Sequence, residues 1–354
     1  MSRLKVALLG AAGYTGAELI RLIDLHPELE LVYVGARENA GQTLGNVIPA
    51  LEGVRGLSNL VLEAFEESDA ATLRGRVDVA FTALPHAASA RLGGALYDAG
   101  IQVLDLSADF RLRDLGTYET WYGPHPRPDL LAKAVYGLPE LYAKQLEGAR
   151  LIACPGCYPT SAILPLVPLL RAGLVTLDHP IIVDSKSGVS GAGRKPGPAY
   201  HLPEAAEGMR PYKVAGTHRH TPEIEQEISV AAGRALSVLF TPQLAPMSRG
   251  ILTNVYASAR AGLKAKDCLE AARSVLDSDL ITILPEGRLP DTLHVRGSGR
   301  AQIGYAVDER TGLVLGMCTI DNLARGASAQ AICALNLSRG WELSTGVPRI
   351  AQFP

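Results

Sequence analysis

Hydrophobic residues in the first part of the chain fall in short apolar runs that alternate with segments of helical periodicity. The runs predict buried strands at residues 4–9, 29–34, 77–83, 101–105 and 150–153. Helical patterns cover residues 17–25 and 89–99. Strands that alternate with helices in this order predict an α/β domain built around a parallel sheet.

Beyond about residue 155 the pattern changes to longer, β-rich runs, which predicts a second domain. Its strands are expected at residues 180–187, 237–245, 251–258, 302–308 and 313–320. A helix at residues 265–276 is expected to cover this sheet, and further helical patterns lie at residues 160–170, 222–232 and 327–339.

Composition narrows the class of protein. With 354 residues, 47% of them hydrophobic, a two-domain globular chain is the default. A net charge of −2 argues against nucleic acid or an anionic membrane as the main partner. No apolar run approaches the roughly 20 residues that span a bilayer, and no signal-peptide layout precedes the first strand. Five scattered cysteines fit a reducing cytoplasm.

The stretch from Cys154 to Cys157 carries the strongest chemical signal, because a strand, a Pro-Gly turn and a helical pattern follow one another there. That order places Cys157 near a helix N-terminus, where unpaired amides and the helix dipole favour a thiolate nucleophile and can hold an oxyanion. A zinc site would need a second pair of ligands, which the sequence lacks, so no metal is expected. Buried, inert cysteines remain an alternative from composition alone.

A glycine-rich turn follows the first predicted strand and precedes the first helix. Gly10, Gly13 and Gly16 have the spacing Gly-x-x-Gly-x-x-Gly, and glycines in this position let the backbone approach a dinucleotide pyrophosphate. The expected cofactor contacts are the three glycines with Ala12, Tyr14 and Thr15. An ordinary tight turn is the alternative.

Arg37 follows the second predicted strand, where an NAD site usually has an acidic residue and an arginine can pair with a 2′-phosphate. The sequence therefore favours NADP(H), although Glu38 next to Arg37 allows a solvated ion pair instead.

Two polar segments follow predicted strands and are candidates for ligand contacts. Ser107 and Arg111 lie after the strand at 101–105, and the guanidinium fork of Arg111 matches a carboxylate or phosphate; a structural contact between Asp109 and Arg111 is the alternative. The segment that contains Ser187, Gly188 and Gly191 suits a loop that closes over the cofactor or substrate, or a flexible exposed turn.

His218, Arg219, His220 and Glu223 precede or begin a predicted helix in a segment too polar for a protein core. One histidine can act as general acid and base while the other, or Arg219, contacts an anion. His220 is preferred because it lies at the entrance of the predicted helix, and His218 remains the alternative.

Together these segments resemble the N-acetyl-γ-glutamyl-phosphate reductase family of arginine biosynthesis, from end to end. The matching motifs lie at residues 10–19, 106–112, 136–140, 155–160 and 218–223. The resemblance implies an N-terminal Rossmann-type NADP-binding domain, plus an α+β substrate and dimerisation domain of the glyceraldehyde-phosphate dehydrogenase type.

The resemblance also implies which residues act and how the chain divides. It implies reductive dephosphorylation through a thioester on Cys157, with a small-molecule substrate contacted by Ser107, Arg111, Arg219 and Glu223. In related dehydrogenases the last helix returns to the first domain, which implies a dinucleotide domain of residues 1–154 and 327–354 and a catalytic domain of residues 155–326. Asn322 would then lie near the nicotinamide, and a turn or cap at the start of the last helix is the alternative. A homo-oligomer, dimer or tetramer, is expected.

Two questions stay open at this stage. Relatives that reduce aminoadipyl phosphate or aspartyl phosphate use the same chemistry, and a regulatory protein that binds the cofactor without turnover is a rival from another class. The family often has asparagine where Cys154 stands. Cys154 is therefore expected either to form a disulfide with Cys157 under oxidation or to pack inertly in the core.

Overall fold

The computed structural model describes residues 3–354. The strands are β1 Leu4–Leu9, β2 Leu29–Gly35, β3 Val79–Thr82, β4 Gln102–Asp105, β5 Val135–Tyr136, β6 Leu151–Ala153, β7 Ile181–Gly188, β8 Arg210–Pro211, β9 Val238–Ala245, β10 Ile251–Ser258, β11 Ile281–Ile283, β12 Ala301–Asp308 and β13 Leu313–Ile320. The helices are α1 Tyr14–Leu25, α2 Leu44–Val47, α3 Ala70–Leu73, α4 Ala88–Asp98, α5 Leu115–Tyr122, α6 Pro139–Leu146, α7 Cys157–Arg171, α8 Leu202–Ala205, α9 Thr221–Ala232, α10 Ala265–Val275 and α11 Ala329–Ser338.

The described chain divides into two compact units. The first runs up to Pro155 and includes Ala327–Val347, and the second comprises Gly156–Gly326 with Pro348–Pro354. The expected grouping put residues 348–354 in the first domain, whereas here they join the second. Backbone hydrogen bonds explain this, since Gly299 donates to Pro348 and Gln352 donates to Arg296.

The first unit is built on a six-stranded sheet with the order β2-β1-β3-β4-β6-β5, in which every pair is parallel. Strands β3 and β4 are buried along their whole length, as expected for a parallel sheet covered on both faces. The carboxyl ends of β1, β3, β4 and β6 therefore lie side by side. This is the edge at which open parallel sheets bind ligands, and it confirms the predicted Rossmann-type α/β fold.

The second unit has a seven-stranded mixed sheet with the order β11-β12-β13-β10-β7-β9-β8. Helices α7, α9 and α10 pack against it. Burial alternates along β10, so one face is covered and the other is only partly buried. Helix α7 contains Pro165 and Pro168, and the hydroxyl of Tyr305 donates to the Pro165 carbonyl at 2.9 Å, close to the break that proline makes in the helical ladder.

Element boundaries differ from the expectations in two places that bear on the site. Helix α7 begins at Cys157, three residues before the predicted start, because a proline in the first turn removes only an amide that has no helical partner. The last helix is preceded by a π-helical turn at Ala324–Ser328 and begins as an α-helix at Ala329. Within residues 3–354, no helix combines the length and apolarity needed to cross a membrane.

Candidate active site

The glycine turn, residues 10–16, joins β1 to α1 in the first unit. Gly10 has a φ of +91°, and a Cβ atom there would lie 2.3 Å from the Ala83 carbonyl oxygen. A Cβ on Gly16 would lie 2.4 Å from the Gly10 carbonyl oxygen, so α1 packs directly on the turn. Gly13 is different, since the nearest atom to its Cβ position is the Gly10 oxygen at 3.7 Å. Backbone atoms therefore fill the space next to Gly10 and Gly16, whereas the space next to Gly13 is open.

The start of α1 fits the pyrophosphate of a dinucleotide. Gly13 is the N-cap of α1 and has no side chain of its own to cap the first-turn amides. The first-turn amides of a helix lack intrahelical partners, so they remain donors for an anion. Predicted contacts Tyr14 and Thr15 lie in this turn, and Arg37 lies exposed after β2. These residues fit a nicotinamide dinucleotide, and Arg37 is accessible to a phosphate.

Loops after β3 and β4 are organised by two buried carboxylates. Asp109 accepts hydrogen bonds from the amide of Ala90 at 2.8 Å and the hydroxyl of Tyr118 at 2.7 Å. It also accepts the amide of Ala87, which has a φ of 64°. Asp105 is fully buried, and this burial, followed by the nearby charge of Asp109, raises its pKa. Asp109 thus stabilises a strained backbone at the sheet edge.

Ser107 and Arg111 are both buried in the first unit. The Ser107 hydroxyl donates to Asp105 at 2.7 Å and accepts the amide of Asp109 at 3.1 Å. Arg111 donates from Nε to the Cys154 carbonyl and from Nη2 to the Leu106 carbonyl, both at 2.7 Å. Arg111 therefore fixes the end of β6, a contact that neither of the sequence alternatives contained.

Cys154 is 1% exposed at the end of β6. Burial, the largest cause, raises the pKa of its thiol strongly, and the charge of Asp105 acts in the same direction. All five cysteines are free thiols within the described chain. This environment favours inert packing for Cys154 over a redox role.

Cys157 is the first residue of α7 in the second unit and is half-buried. Its N-cap is Gly156, which has no side chain of its own to cap the helix. The Gly156 carbonyl accepts the Thr160 amide at 3.0 Å and the Thr160 hydroxyl at 2.9 Å, and the Gly156 amide donates to Glu223 at 2.9 Å. A thiol in this place gains from the helix N-terminus as a thiolate.

The two histidines have different environments. His218 is 8% exposed, and the centroid of its ring lies 5.5 Å from the ring centroid of Tyr158 and 5.2 Å from that of Phe240. Burial, followed by the charge of Lys213, lowers the pKa of His218 to about 4. Its Nδ1 accepts the amide of His220 at 3.0 Å. His218 is therefore a neutral ring that orients its neighbour at neutral pH.

His220 is the N-cap of α9 and is half-buried, with its ring 6.0 Å from that of Tyr158. Arg219 between the histidines is exposed. The geometry thus separates the two candidates, with His218 inside an aromatic cluster and His220 at its edge.

The segment after β7 is tied to the segment before the π-helical turn. Asn322 is 2% exposed and donates from Nδ2 to the Ser190 hydroxyl at 2.9 Å, while its Oδ1 accepts the Gly250 amide at 2.8 Å. A Cβ on Gly188 would lie 2.8 Å from the Ser248 carbonyl oxygen, and one on Gly191 would lie 3.1 Å from the Ser187 hydroxyl. These four predicted cofactor residues, Ser187, Gly188, Gly191 and Asn322, lie together in the second unit.

Sequence patterns missed three residues around Cys157. A Cβ on Gly326 would lie 2.7 Å from the Cys157 Cβ, Thr160 holds the Gly156 carbonyl, and Tyr158 contacts both histidine rings. Only Thr160 had a local signal, because threonine in the first helical turn can hydrogen bond to the backbone.

Comparison with known proteins agrees with the division of the chain into a dinucleotide-binding unit and a second unit that begins near Cys157. Residues 5–149 match the semialdehyde dehydrogenase NAD binding domain family, and residues 157–322 match the semialdehyde dehydrogenase dimerisation domain family. Aspartate semialdehyde dehydrogenase II of Vibrio cholerae, complexed with ASA, has the same fold, with a TM-score of 0.71 at 18% identity over 95% of this chain and 98% of that one. The Candida albicans aspartate semialdehyde dehydrogenase with NADP gives a TM-score of 0.66 at 17% identity over 96% and 99%.

Relatives of known name are much more similar in sequence. A protein of Citrifermentans bemidjiense is 46% identical over 99% of this chain and 100% of its own length. One of Syntrophobacter fumaroxidans is 48% identical over 97% and 98%. Both are named N-acetyl-gamma-glutamyl-phosphate reductase. With this identity over the whole length, and a cysteine at the start of the helix where the dimerisation domain begins, the chain belongs to the N-acetyl-γ-glutamyl-phosphate reductase family.

Proposed function

We propose that this protein reduces N-acetyl-γ-glutamyl phosphate to N-acetylglutamate semialdehyde with NADPH, in arginine biosynthesis. Family membership makes it an oxidoreductase with a nicotinamide cofactor. The observation that carries the proposal is Cys157 at the first position of α7, where a thiolate is favoured. An acyl phosphate is an activated substrate for such a nucleophile.

Catalysis begins at the Sγ atom of Cys157. The thiolate attacks the acyl carbonyl, the bond to the phosphate oxygen breaks, and phosphate leaves with the electron pair, which gives a thioester. Amides at the start of α7 stabilise the oxyanion formed during attack. When bound, NADPH would supply the hydride that reduces the thioester carbonyl.

His220 is the proposed acid and base. It donates a proton to the carbonyl oxygen during reduction and takes it back as the thiolate of Cys157 is expelled and the aldehyde forms. His218 is unsuited to this role because its pKa of about 4 leaves it neutral at pH 7. Its hydrogen bond to the His220 amide supports a positioning role.

The cofactor and substrate contacts extend the proposal. The glycine turn would hold the pyrophosphate. Arg37 would hold the 2′-phosphate, which makes the site specific for NADP(H). The nicotinamide end would be held by the segment with Ser187, Gly188, Gly191 and Asn322. Ser107, Arg111 and Arg219 are the proposed substrate contacts. Arg111 also holds two backbone carbonyls, which supports a role in shaping the site.

Assembly into a homo-oligomer, a dimer or tetramer, is supported by the partly buried face of the second sheet. An apolar row crosses four strands there, since Leu239 pairs with Ile182, Ile182 with Tyr256, and Tyr256 with Leu315. Leu239 is 47% exposed and Ile182 is 39% exposed. A second copy would cover this row, and sedimentation analysis measures the resulting mass. A cytoplasmic location stays a prediction from cysteine usage.

The test is a panel of substrates measured in the direction of phosphate-dependent semialdehyde oxidation. Each assay contains NADP⁺, inorganic phosphate and one of three semialdehydes: N-acetylglutamate semialdehyde, aspartate semialdehyde or aminoadipate semialdehyde. The formation of NADPH is followed by absorbance. We expect phosphate-dependent turnover with the N-acetylglutamyl substrate, and kcat/KM at least about tenfold lower for the others. A preference for the aspartyl or aminoadipyl substrate would assign the chain to the corresponding pathway, and cofactor binding without turnover would indicate a regulatory protein.

A further inference from the structure

Gly156, the residue that precedes the nucleophile, is held through both its carbonyl and its amide. On the carbonyl side, Gly156 accepts two hydrogen bonds from Thr160, one from the amide and one from the hydroxyl. On the amide side it donates to the Oε1 atom of Glu223 at 2.9 Å. The Thr160 contacts are local to α7, whereas Glu223 belongs to a different helix.

Glu223 has the features of a structural anchor. It is the third residue of α9 and only 1% exposed. A buried carboxylate that accepts a backbone amide forms a charge-assisted hydrogen bond, which is stronger than a neutral one. Removal of such a partner leaves a buried amide without an acceptor. A carboxylate at this depth that serves the backbone is poorly placed to serve a diffusing substrate as well.

The same carboxylate links the two reacting groups. Helices α7 and α9 pack against each other in the second unit. The N-cap of α7 is Gly156, next to Cys157, and the N-cap of α9 is His220, three residues before Glu223. One hydrogen bond therefore connects the first turn of the nucleophile's helix with the first turn of the helix that begins at the proposed acid and base.

We propose that Glu223 is a positioning residue that fixes the Gly156–Cys157 turn relative to His220, rather than a substrate ligand as the family resemblance implied. The link to catalysis rests on the proposed function. The effect on the turn itself does not, because it is a property of the protein without substrate.

Two consequences of losing Glu223 can be separated by choice of variant. Glu223→Gln removes the negative charge and keeps an oxygen that can accept the Gly156 amide. Glu223→Ala removes both. The charge of Glu223 near a thiol disfavours the thiolate, so neutralising it alone should not slow the reaction of Cys157 with an alkylating agent. A difference between the two variants therefore reports the geometry of the turn.

Glu225 provides a matched control on the same helix. Its Oε1 atom accepts the backbone amide of Val238 at 3.0 Å, so Glu225→Ala also removes a carboxylate-to-amide hydrogen bond. That bond is directed at the start of β9, away from the turn before Cys157. Loss of stability alone should therefore appear in both alanine variants, as a fall in Tm.

The first measurement is the alkylation rate of Cys157 by iodoacetamide in protein without substrate or cofactor, identified by peptide mass spectrometry. We expect Glu223→Ala to react at least about fivefold more slowly than Glu223→Gln, and Glu225→Ala to react like the wild type. Equal rates in the Gln and Ala variants would overturn the proposal. This result does not depend on which acyl phosphate the enzyme reduces.

The second measurement separates kcat from KM with the acyl phosphate that the wild type turns over. We expect Glu223→Ala to lose about 10- to 100-fold in kcat with KM within about twofold, because small misplacement of a nucleophile has costs of this order. Glu223→Gln should keep kcat within about threefold. A raised KM with unchanged kcat would show that Glu223 binds substrate, and equal losses in Glu225→Ala would show a merely structural role.

Discussion

The glycine turn, residues 10–16, and the cysteine turn, residues 154–157, share one local plan. Each follows a strand of the parallel sheet and leads into a helix whose N-cap is a glycine, a residue without a side chain of its own to cap the helix. They differ in what holds them. The glycine turn packs backbone against backbone, with Gly10 against Ala83 and Gly16 against Gly10, whereas the cysteine turn is anchored by the side chains of Arg111, Thr160 and Glu223.

This difference indicates two uses of one motif. A turn that must receive a phosphate needs free amides and no side chains in the way. A turn that must present a nucleophile needs the opposite, because a reacting atom has to be held within a fraction of an ångström. The glycine turn is thus suited to binding and the cysteine turn to catalysis.

The largest effect is expected for Cys157→Ala. Without the thiol no thioester can form, so kcat should fall more than about 1,000-fold, equivalent to about 4 kcal/mol. The Kd for NADPH, measured by fluorescence titration, should stay within about twofold, because the proposed dinucleotide contacts do not include this thiol. Residual turnover above that limit would contradict covalent catalysis.

Gly326→Ala tests the anchoring of the cysteine turn from another side. The new methyl group would lie 2.7 Å from the Cys157 Cβ, so one of the two segments must shift. We expect kcat to fall about 100-fold, the usual consequence of a displacement near 1 Å. Gly208→Ala is the control, since its Cβ position has the Ala206 oxygen as nearest neighbour at 3.9 Å. Unchanged kcat in Gly326→Ala would show that the turn tolerates displacement.

Gly16→Ala and Gly13→Ala apply the same test to the glycine turn. At Gly16 the methyl group meets the Gly10 carbonyl oxygen at 2.4 Å, so we expect unfolding free energy to fall by about 2 kcal/mol and NADPH binding to weaken. At Gly13 the folded protein has space for a methyl group, so Tm should be unchanged. The methyl group would obstruct the approach of the pyrophosphate, so NADPH binding should weaken about tenfold. Normal NADPH affinity in Gly13→Ala would place the pyrophosphate elsewhere.

Much of this arrangement could be predicted from local patterns. Apolar runs predicted ten strands of the two sheets but missed the short strands β5, β8 and β11. The order of strand, glycine and helix located both turns. What could not be predicted depends on contacts between distant segments. Nothing near Gly326 in the sequence reports that it lies against Cys157, and nothing near Arg111 reports that its guanidinium donates to two backbone carbonyls.

Arg37→Ala is expected to have a smaller effect, confined to the cofactor. Loss of a charge-assisted bond to the 2′-phosphate should weaken NADPH binding by about 1–3 kcal/mol and leave NADH binding within about twofold. Glu38→Ala is the control, because Glu38 is also exposed after β2. Equal losses for NADPH and NADH would mean that Arg37 supports the loop rather than the phosphate.

The smallest effect is expected for Cys154→Ser, at the other end of the cysteine turn. The raised pKa of the buried Cys154 thiol leaves it protonated at neutral pH, and only a thiolate attacks an oxidised sulfur efficiently. Peroxide should therefore oxidise Cys157 first to a sulfenic acid and then, because no resolving thiolate intercepts it, to a sulfinic acid. Because sulfinic acid is not restored by thiol reductants, activity should be lost irreversibly at the same rate in wild type and variant.

Peptide mass spectrometry of the peroxide-treated wild type provides the direct check, and we expect no crosslink between Cys154 and Cys157. Recovery of the wild type on reduction, together with irreversible loss in Cys154→Ser, would instead establish a protective disulfide. It would also show that the end of β6 opens enough to expose a side chain that is 1% accessible in the folded protein. The cysteine turn would then be a mobile element, and its three side-chain anchors would have to release before oxidation.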